Sequence, residues 1–317
     1  RLLPAEVDPP LHTQLRKLIA PAYTPKALKQ METVVRDVVR EAVDALLAKG
    51  DFDIVEDIAE IVPPLIGLKH LGFPEEHRAT MVDAIRVALK TGVPSEAAAS
   101  AFQNACGLMM MFVHSRRAHP CDDIMSALVS CKEPALSDEE LMWMGLTLFV
   151  GGFKNPGAHI SNMLLHLGQD LDLRQRLIAD RSLINKATTE FLRYYSAGVS
   201  VARTVTRPYE LGGVQLSAGD RVLVVLPAAN RDEAAFAHAD TFDIDRSQAN
   251  RHLAFGGGPH FCVGFKLAIM MFDVLLNEIF DRMPGYTVQA DKAIRVEDAG
   301  IQAGYVCIPA STGLRPV

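Results

Sequence analysis

The chain has 317 residues, of which 49% are hydrophobic and 22% charged, and carries a formal net charge of −6. That apolar fraction supports a sizeable core and, at this charge content, excludes general disorder. The acidic balance provides no basic face for nucleic acid.

Five scattered cysteines, Cys106, Cys121, Cys131, Cys262 and Cys307, show no Cys-x-x-Cys spacing. An odd, unpaired set fits a reducing compartment without a disulfide framework. No signal peptide is visible, and the longest apolar run, 141–153, falls short of the ~20 residues that a spanning helix needs. A soluble, cytoplasmic protein is the expectation.

After Asp8-Pro9-Pro10 a first helix places His12 and Arg16 four residues apart on one face. Taken alone, that pair reads as a solvated surface. Thr24 as N-cap, Pro25 at the first position and Gly50 past the end delimit a second helix. Its Leu28, Met31, Val34, Val35, Val38, Val39, Ala42 and Leu46 keep helical spacing and form a core face. The segment 52–72 reads as helix interrupted by Pro63-Pro64, and 75–91 and 95–117 as two more helices. The run Leu108-Met109-Met110-Met111-Phe112 reads more readily as gap-filling core than as channel lining.

Ser137-Asp138-Glu139-Glu140 is a capping box that opens a helix reaching about Gln169. At ~1.5 Å per residue it would cross a domain in roughly 50 Å. Inside it lies Gly151-Gly152-Phe153-Lys154-Asn155-Pro156. Pro156 has no N–H for the Gly152 carbonyl and crowds it, so a kink is expected there. Helices follow at 171–180 and 182–195, the second placing Glu190 and Arg193 three apart on one face. From Val199 to Pro227 the period changes to alternation, with turns at Gly212-Gly213 and 217–220, which reads as a small sheet. A short helix over 228–236, an irregular stretch through Asn250 and short strands beyond Pro284 complete the chain.

The chain is organised around Phe255-Gly256-Gly257-Gly258-Pro259-His260-Phe261-Cys262-Val263-Gly264. Three glycines and a proline exclude regular structure, and the apolar stretch from Phe265 to Phe280 reads as a helix. Cys262 is thereby placed at a helix N-terminus, where a thiolate is favoured and can ligate a metal. A buried structural cysteine after a glycine turn is the alternative. A phosphate loop is not, because the Gly-Lys-Ser/Thr ending is missing.

Phe255, Gly256, Gly258, His260, Cys262 and Gly264 fill every fixed place of Phe-Gly-x-Gly-x-His-x-Cys-x-Gly, and so the loop resembles the haem-thiolate loop of the cytochrome P450 family. Glu190-Phe191-Leu192-Arg193 matches that family's Glu-x-x-Arg, and Arg246 stands where its meander arginine does. The resemblance runs from Asp8 to the C-terminus. It implies a mainly α fold, a helical bundle around a haem with small β-sheets, as one domain over 1–317. The family's N-terminal segment, with a small sheet and the loop roofing the pocket, precedes the part matched here. By resemblance the axial iron ligand is Cys262, and the cofactor, haem b, is contacted by His12, Arg16, Arg203, Phe255, His260 and Gly264. The oxygen groove is Gly151, Gly152, Lys154 and Asn155, and the pocket is lined by Thr147, Val150, Val199, Val201, Ile301 and Gln302. Glu190, Arg193 and Arg246 are structural in the family.

The chain departs from the family's pattern after Gly151-Gly152-Phe153. Relatives place an acid and then a threonine there, through which water delivers protons; this chain has Lys154 and Asn155. Asn155 can still hold a water by hydrogen bonds, but it is not an acid. Lys154 is expected to point away from the pocket. The resemblance implies a monooxygenase that inserts one oxygen atom of O2 into a small or medium organic molecule, with electrons from a ferredoxin or flavodoxin-like partner. That partner would dock near Lys17, Arg251 and Lys266. The departure keeps alternatives open: a peroxygenase, an isomerase or dehydratase needing no reductase, or a haem protein that binds ligands without turnover.

Overall fold

The computed structural model describes residues 2–90, 94–296 and 303–314. Twelve α-helices and four small sheets are present among them. The first helices are α1 (Leu11–Ile19) and α2 (Pro25–Lys49). The start of α2 is set as its sequence predicts, with the Thr24 hydroxyl accepting from Ala27 N–H at 3.4 Å and Gly50 closing the far end at φ 77°.

The segment 52–72 is not one interrupted helix. Strand β1 (Asp51–Asp53) is followed by one turn of π-helix (Val55–Ala59) and then α3 (Val62–Leu71). Pro63 and Pro64 occupy the first turn of α3, where a missing N–H costs nothing. β1 exists because β9 (Pro309–Ser311) pairs with it antiparallel, Phe52 opposite Ala310, and β6 (Thr287–Val288) flanks β9 on its other side. A partner 258 residues away, as Ala310 is from Phe52, leaves no local signal.

Helices α4 (Glu75–Ala88) and α5 (Ser95–Ala118) pack against each other, and α6 (Ile124–Val129) follows. The expected long helix is two. The Ser137 capping box opens α7 (Asp138–Gly151), and α8 (Lys154–Gln169) begins after a break at Gly152-Phe153. The Gly152 N–H is shared between the Leu148 and Phe149 carbonyls, and helical bonding resumes with Gly157 N–H to Phe153 O at 3.0 Å.

Beyond α9 (Leu171–Ala179) and α10 (Ile184–Tyr195), strands β2 (Ser200–Thr204) and β5 (Arg221–Val225) pair, with the hairpin of β3 (Tyr209–Leu211) and β4 (Val214–Leu216) between them. The short helix is α11 (Leu226–Asn230), ending six residues before its expected limit at Phe236. α12 (Phe265–Arg282) leads into the terminal strands, where β7 (Ile294–Arg295) pairs with β8 (Tyr305–Cys307).

Two apolar clusters form the core. One gathers α2, α8, α10 and α12, with Phe272, Leu275 and Ile279 of α12 buried against Val39, Val43 and Leu46 of α2. The other gathers α1, α3, α4, α5 and α7, and contains Met109, Phe112, Met125 and Met144. Met109 is fully buried, in agreement with the gap-filling reading of its run, whereas Met111 is exposed.

Candidate active site

The cysteine loop lies between the meander and α12. Gly256 and Gly258 adopt φ of 71° and 65°, which a side chain would strain, so the turn requires glycine at both. The turn folds back on itself: Cys262 N–H donates to the Phe255 carbonyl at 2.9 Å, and Phe261 N–H to Gly258 O at 3.0 Å. Rings of Phe255, Phe261 and Phe265 pack edge-on around it, with centroids 5.1 to 6.4 Å apart.

Cys262 is therefore not on the helix itself. α12 starts at Phe265 with Gly264 as its cap. The expected ease of ionisation is also reversed in sum. Burial pushes the Cys262 thiol up, opposed by the Gly264 N–H and the Arg16 guanidinium. A metal that takes this sulfur must displace its proton, which couples binding to pH.

Three basic side chains, His12, His260 and Arg16, meet beside the loop. The His12 and His260 rings lie 4.1 Å apart, and Arg16 donates to the Phe261 carbonyl at 2.9 Å, tying α1 to the residue before Cys262. Arg203 on β2 is close enough to act on His260. Burial first, then Arg203, hold the His260 pKa below its ordinary value. His12 is lowered by burial first, then by His260 and Arg16. Burial and the neighbouring guanidinium groups thus disfavour the protonated form of both imidazoles, and Asp8 opposes only part of that effect. The buried His12 Nδ1 also has no hydrogen-bond partner among the described residues. A dianionic ligand would pair with the guanidinium groups, favour the protonated imidazoles and supply a partner for that nitrogen. These donors fit a haem: His12, Arg16, Arg203 and His260 would hold its propionates, and Cys262 would supply a thiolate to its iron.

The oxygen-side residues come from the break. Thr147 and Gly151 lie four apart on one face of α7, and Asn155 stands in the first turn of α8 across the break. Gly151 and Asn155 are exposed, and a Cβ at Gly151 would meet nothing within 4 Å. Thr147 spends its hydroxyl on the Trp143 carbonyl of its own helix at 2.7 Å. Val150, Val199 and Val201 are half-buried, and Val201 shares a strand face with Arg203. Ile301 and Gln302 lie outside the described residues.

Lys154 does not point into solvent. Its Nζ lies 3.3 Å from Glu60 Oε1 and 5.0 Å from the Phe153 ring centroid. Glu60 Oε2 in turn accepts from Arg86 Nε of α4 at 3.0 Å. Glu60 was not legible as part of the site, because 94 residues separate it from Lys154. Tyr23, whose ring edge lies 3.8 Å from where a Cβ on Gly264 would stand, was missed for the same reason. So was Asn230, which accepts from Leu253 N–H at 2.7 Å and so braces the approach to the cysteine loop.

Glu190 and Arg193 are fully buried and doubly bonded at 2.7 and 2.8 Å, and Arg246 joins Glu190 at 3.2 Å. Arg193 further donates to the carbonyls of Asn230, Ala239 and Thr241. The trio thus clamps α10 to α11 and the meander. Lys17, Arg251 and Lys266 are exposed.

Comparison with known proteins agrees with this geometry. The family model described as Cytochrome P450 matches residues 73–284. A mycinamicin IV hydroxylase/epoxidase of Micromonospora griseorubida is 33% identical over 285 residues, 88% of this chain and 72% of that protein. The monooxygenase PikC of Streptomyces venezuelae is 35% identical over 289 residues, 88% of this chain and 68% of its own. Among solved structures, CYP109E1 of Bacillus megaterium with corticosterone superposes at a TM-score of 0.89 and 28% identity, covering 97% of this chain and 85% of the other. Among the described residues no helix is long and apolar enough to cross a membrane. With the cysteine loop, the buried Glu-x-x-Arg clamp and the broken helix in one arrangement, this chain belongs to the cytochrome P450 family, an oxidoreductase of the haem-dependent monooxygenase kind.

Proposed function

We propose that this monooxygenase inserts one oxygen atom of O2 into a medium-sized, largely apolar organic molecule, using haem b on Cys262 and electrons from a ferredoxin or flavodoxin-like partner. The observation that carries the reading is the Cys262 loop beside the His12, Arg16, Arg203 and His260 cluster. When bound, the haem would supply oxygen activation, and a Cys262 thiolate on its iron would favour O–O cleavage.

The chain's own residues do the rest. The loop fixes the sulfur by the Cys262 N–H to Phe255 bond. The basic cluster neutralises the propionates. The helix break leaves the Gly152 carbonyl without its usual donor, because residue 156 is proline, and so leaves a polar acceptor beside Asn155. Asn155 holds water or a polar group of the substrate, and Val150, Val199 and Val201 exclude bulk water. Relatives named as a mycinamicin IV hydroxylase/epoxidase and a steroid C26-monooxygenase support a bulky, weakly polar substrate. The free cysteines support a reducing, cytoplasmic location for a single domain over 1–317.

A peroxygenase is the second reading, favoured by Lys154 and Asn155 in place of an acid and an alcohol. The reduced carbonyl complex of the haem-loaded protein should show the absorption of a thiolate-ligated iron and lose it in Cys262→Ala. Oxygen uptake with a ferredoxin system and substrate supports the first reading. Turnover with peroxide and none with ferredoxin supports the second. If partner docking uses Lys17, Arg251 and Lys266, reduction slows in Lys266→Glu and as salt shortens the Debye length from ~10 Å at 0.1 M.

A further inference from the structure

α8 begins with a lysine. A helix N-terminus presents unpaired N–H groups and a partial positive charge, so Lys154 stands where a cation is disfavoured. Glu60 supplies a counter-charge. It follows the π-turn directly, outside regular helix at φ −96° and ψ 2°, and its carboxylate faces two cations, Lys154 at 3.3 Å and Arg86 at 3.0 Å. The three side chains are only 20 to 25% exposed, so solvent screens them incompletely. The π-turn is pressed onto the same part of α8, since a Cβ on Gly157 would come within 2.6 Å of the Ala59 carbonyl. Glu60 is thereby pinned against the first turn of α8, on which Asn155 stands.

We propose that Glu60 is a positioning residue for the oxygen-side site. By neutralising Lys154 at the start of α8 it holds the break between α7 and α8 in its open form and turns Lys154 toward the π-turn, leaving Asn155 to face the pocket. Arg86 extends the link to α4. Without Glu60, Lys154 loses its tie to the π-turn, and the first turn of α8 shifts. This inference deepens the proposed function and rests on Asn155 serving the site over Cys262.

The test uses haem-loaded protein and imidazole, which binds the iron from the pocket side and reports the geometry above it without turnover. Glu60→Gln, Lys154→Met and the double variant are compared by spectral titration. Each single change should alter the imidazole Kd by about threefold or more, the range of a partly exposed ion pair, and the double variant no further than either single. Arg86→Gln, which leaves the Lys154–Glu60 contact in place, should change it less. Gly157→Ala, which must push the π-turn away, should reproduce the Glu60→Gln value, and it keeps the test decisive if Glu60→Gln loads haem poorly. A Glu60→Gln protein with wild-type imidazole affinity, or a double variant whose effect is the sum of the two singles, overturns the proposal. Because imidazole binding needs neither electrons nor substrate, the result stands apart from whether ferredoxin-driven oxygenation is found.

Discussion

Two glutamates in this molecule are each held by two basic side chains, and they serve opposite ends of the design. Glu190 has no exposed surface; Arg193 grips it at 2.7 and 2.8 Å, and Arg246 and the Asp243 N–H complete its acceptors. Glu60 is one-fifth exposed and meets Lys154 and Arg86 through single contacts. The first network is closed, with carbonyls of Asn230, Ala239 and Thr241 taking the remaining guanidinium donors. The second is open to water on one side. Burial makes an ion pair strong only when every partner is supplied, and removing one partner then leaves a stranded charge. The same chemistry half-exposed is weak enough to be rearranged. A clamp that fixes the fold and a contact that tunes a site are therefore told apart by burial.

Glu190→Ala breaks the closed network and should cost ~3–5 kcal/mol of unfolding free energy, read by chemical denaturation, with little change on adding salt. A stable, haem-loaded Glu190→Ala protein with a selective loss of turnover would show that the residue has a chemical role instead.

Acid should find a third kind of buried group, one with no counter-charge. His159 on α8 is fully buried among Phe191 and Phe272, neither ring nitrogen has a partner among the described residues, and burial lowers its pKa to about 3. His70 is lowered to about 4 by burial. Both must stay neutral in the folded protein, while the unfolded chain takes up a proton near pH 6.5. Their contribution is fully present above pH 6.5 and is lost as pH falls, toward about 4 for His70 and about 3 for His159, at up to ~1.4 kcal/mol per pH unit for each. Denaturation at pH 7.5 and 5.5 measures the slope, and His159→Phe should reduce it. A slope unchanged by that variant would mean that His159 is protonated in the fold.

Arg86→Gln opens the half-exposed network and should cost ~0–1 kcal/mol, diminishing as salt is added. A loss comparable to that of Glu190→Ala would erase the distinction drawn between the two glutamates.

What was legible in the chain follows the same division between local and distant causes. The cysteine loop, the Thr24 and Ser137 caps and the bend before Pro156 are written in consecutive residues, because glycine, proline and capping side chains act on their immediate neighbours. The Glu190–Arg193 pair is three residues apart and was equally readable, although its burial was not. β1 and the π-turn were missed because the strand is set by pairing with β9, from the far end of the chain, and not by any local spacing. Lys154 showed only that an acid was absent. Where its ammonium goes is decided by Glu60 and Arg86, each on another element, and no spacing rule reaches across that distance.

The smallest expected effect is the most discriminating for the pocket. A lysine one residue before Asn155 could anchor a substrate carboxylate, but its ammonium already lies 3.3 Å from Glu60, whose other oxygen is drawn to Arg86. To reach an acidic ligand Lys154 would have to abandon a carboxylate held on the π-turn and leave that charge facing one cation instead of two. The exchange gains one ion pair and loses another, so no net preference for acids should arise. Titrating an aliphatic acid and its methyl ester into wild type and Lys154→Met should therefore give the same acid-to-ester affinity ratio in both, within about twofold, well inside the ~0–1 kcal/mol of an exposed pair. Both affinities can shift together, because the break between α7 and α8 moves. A ratio that falls tenfold in Lys154→Met would place the ammonium in the pocket and make it the determinant of an acidic substrate.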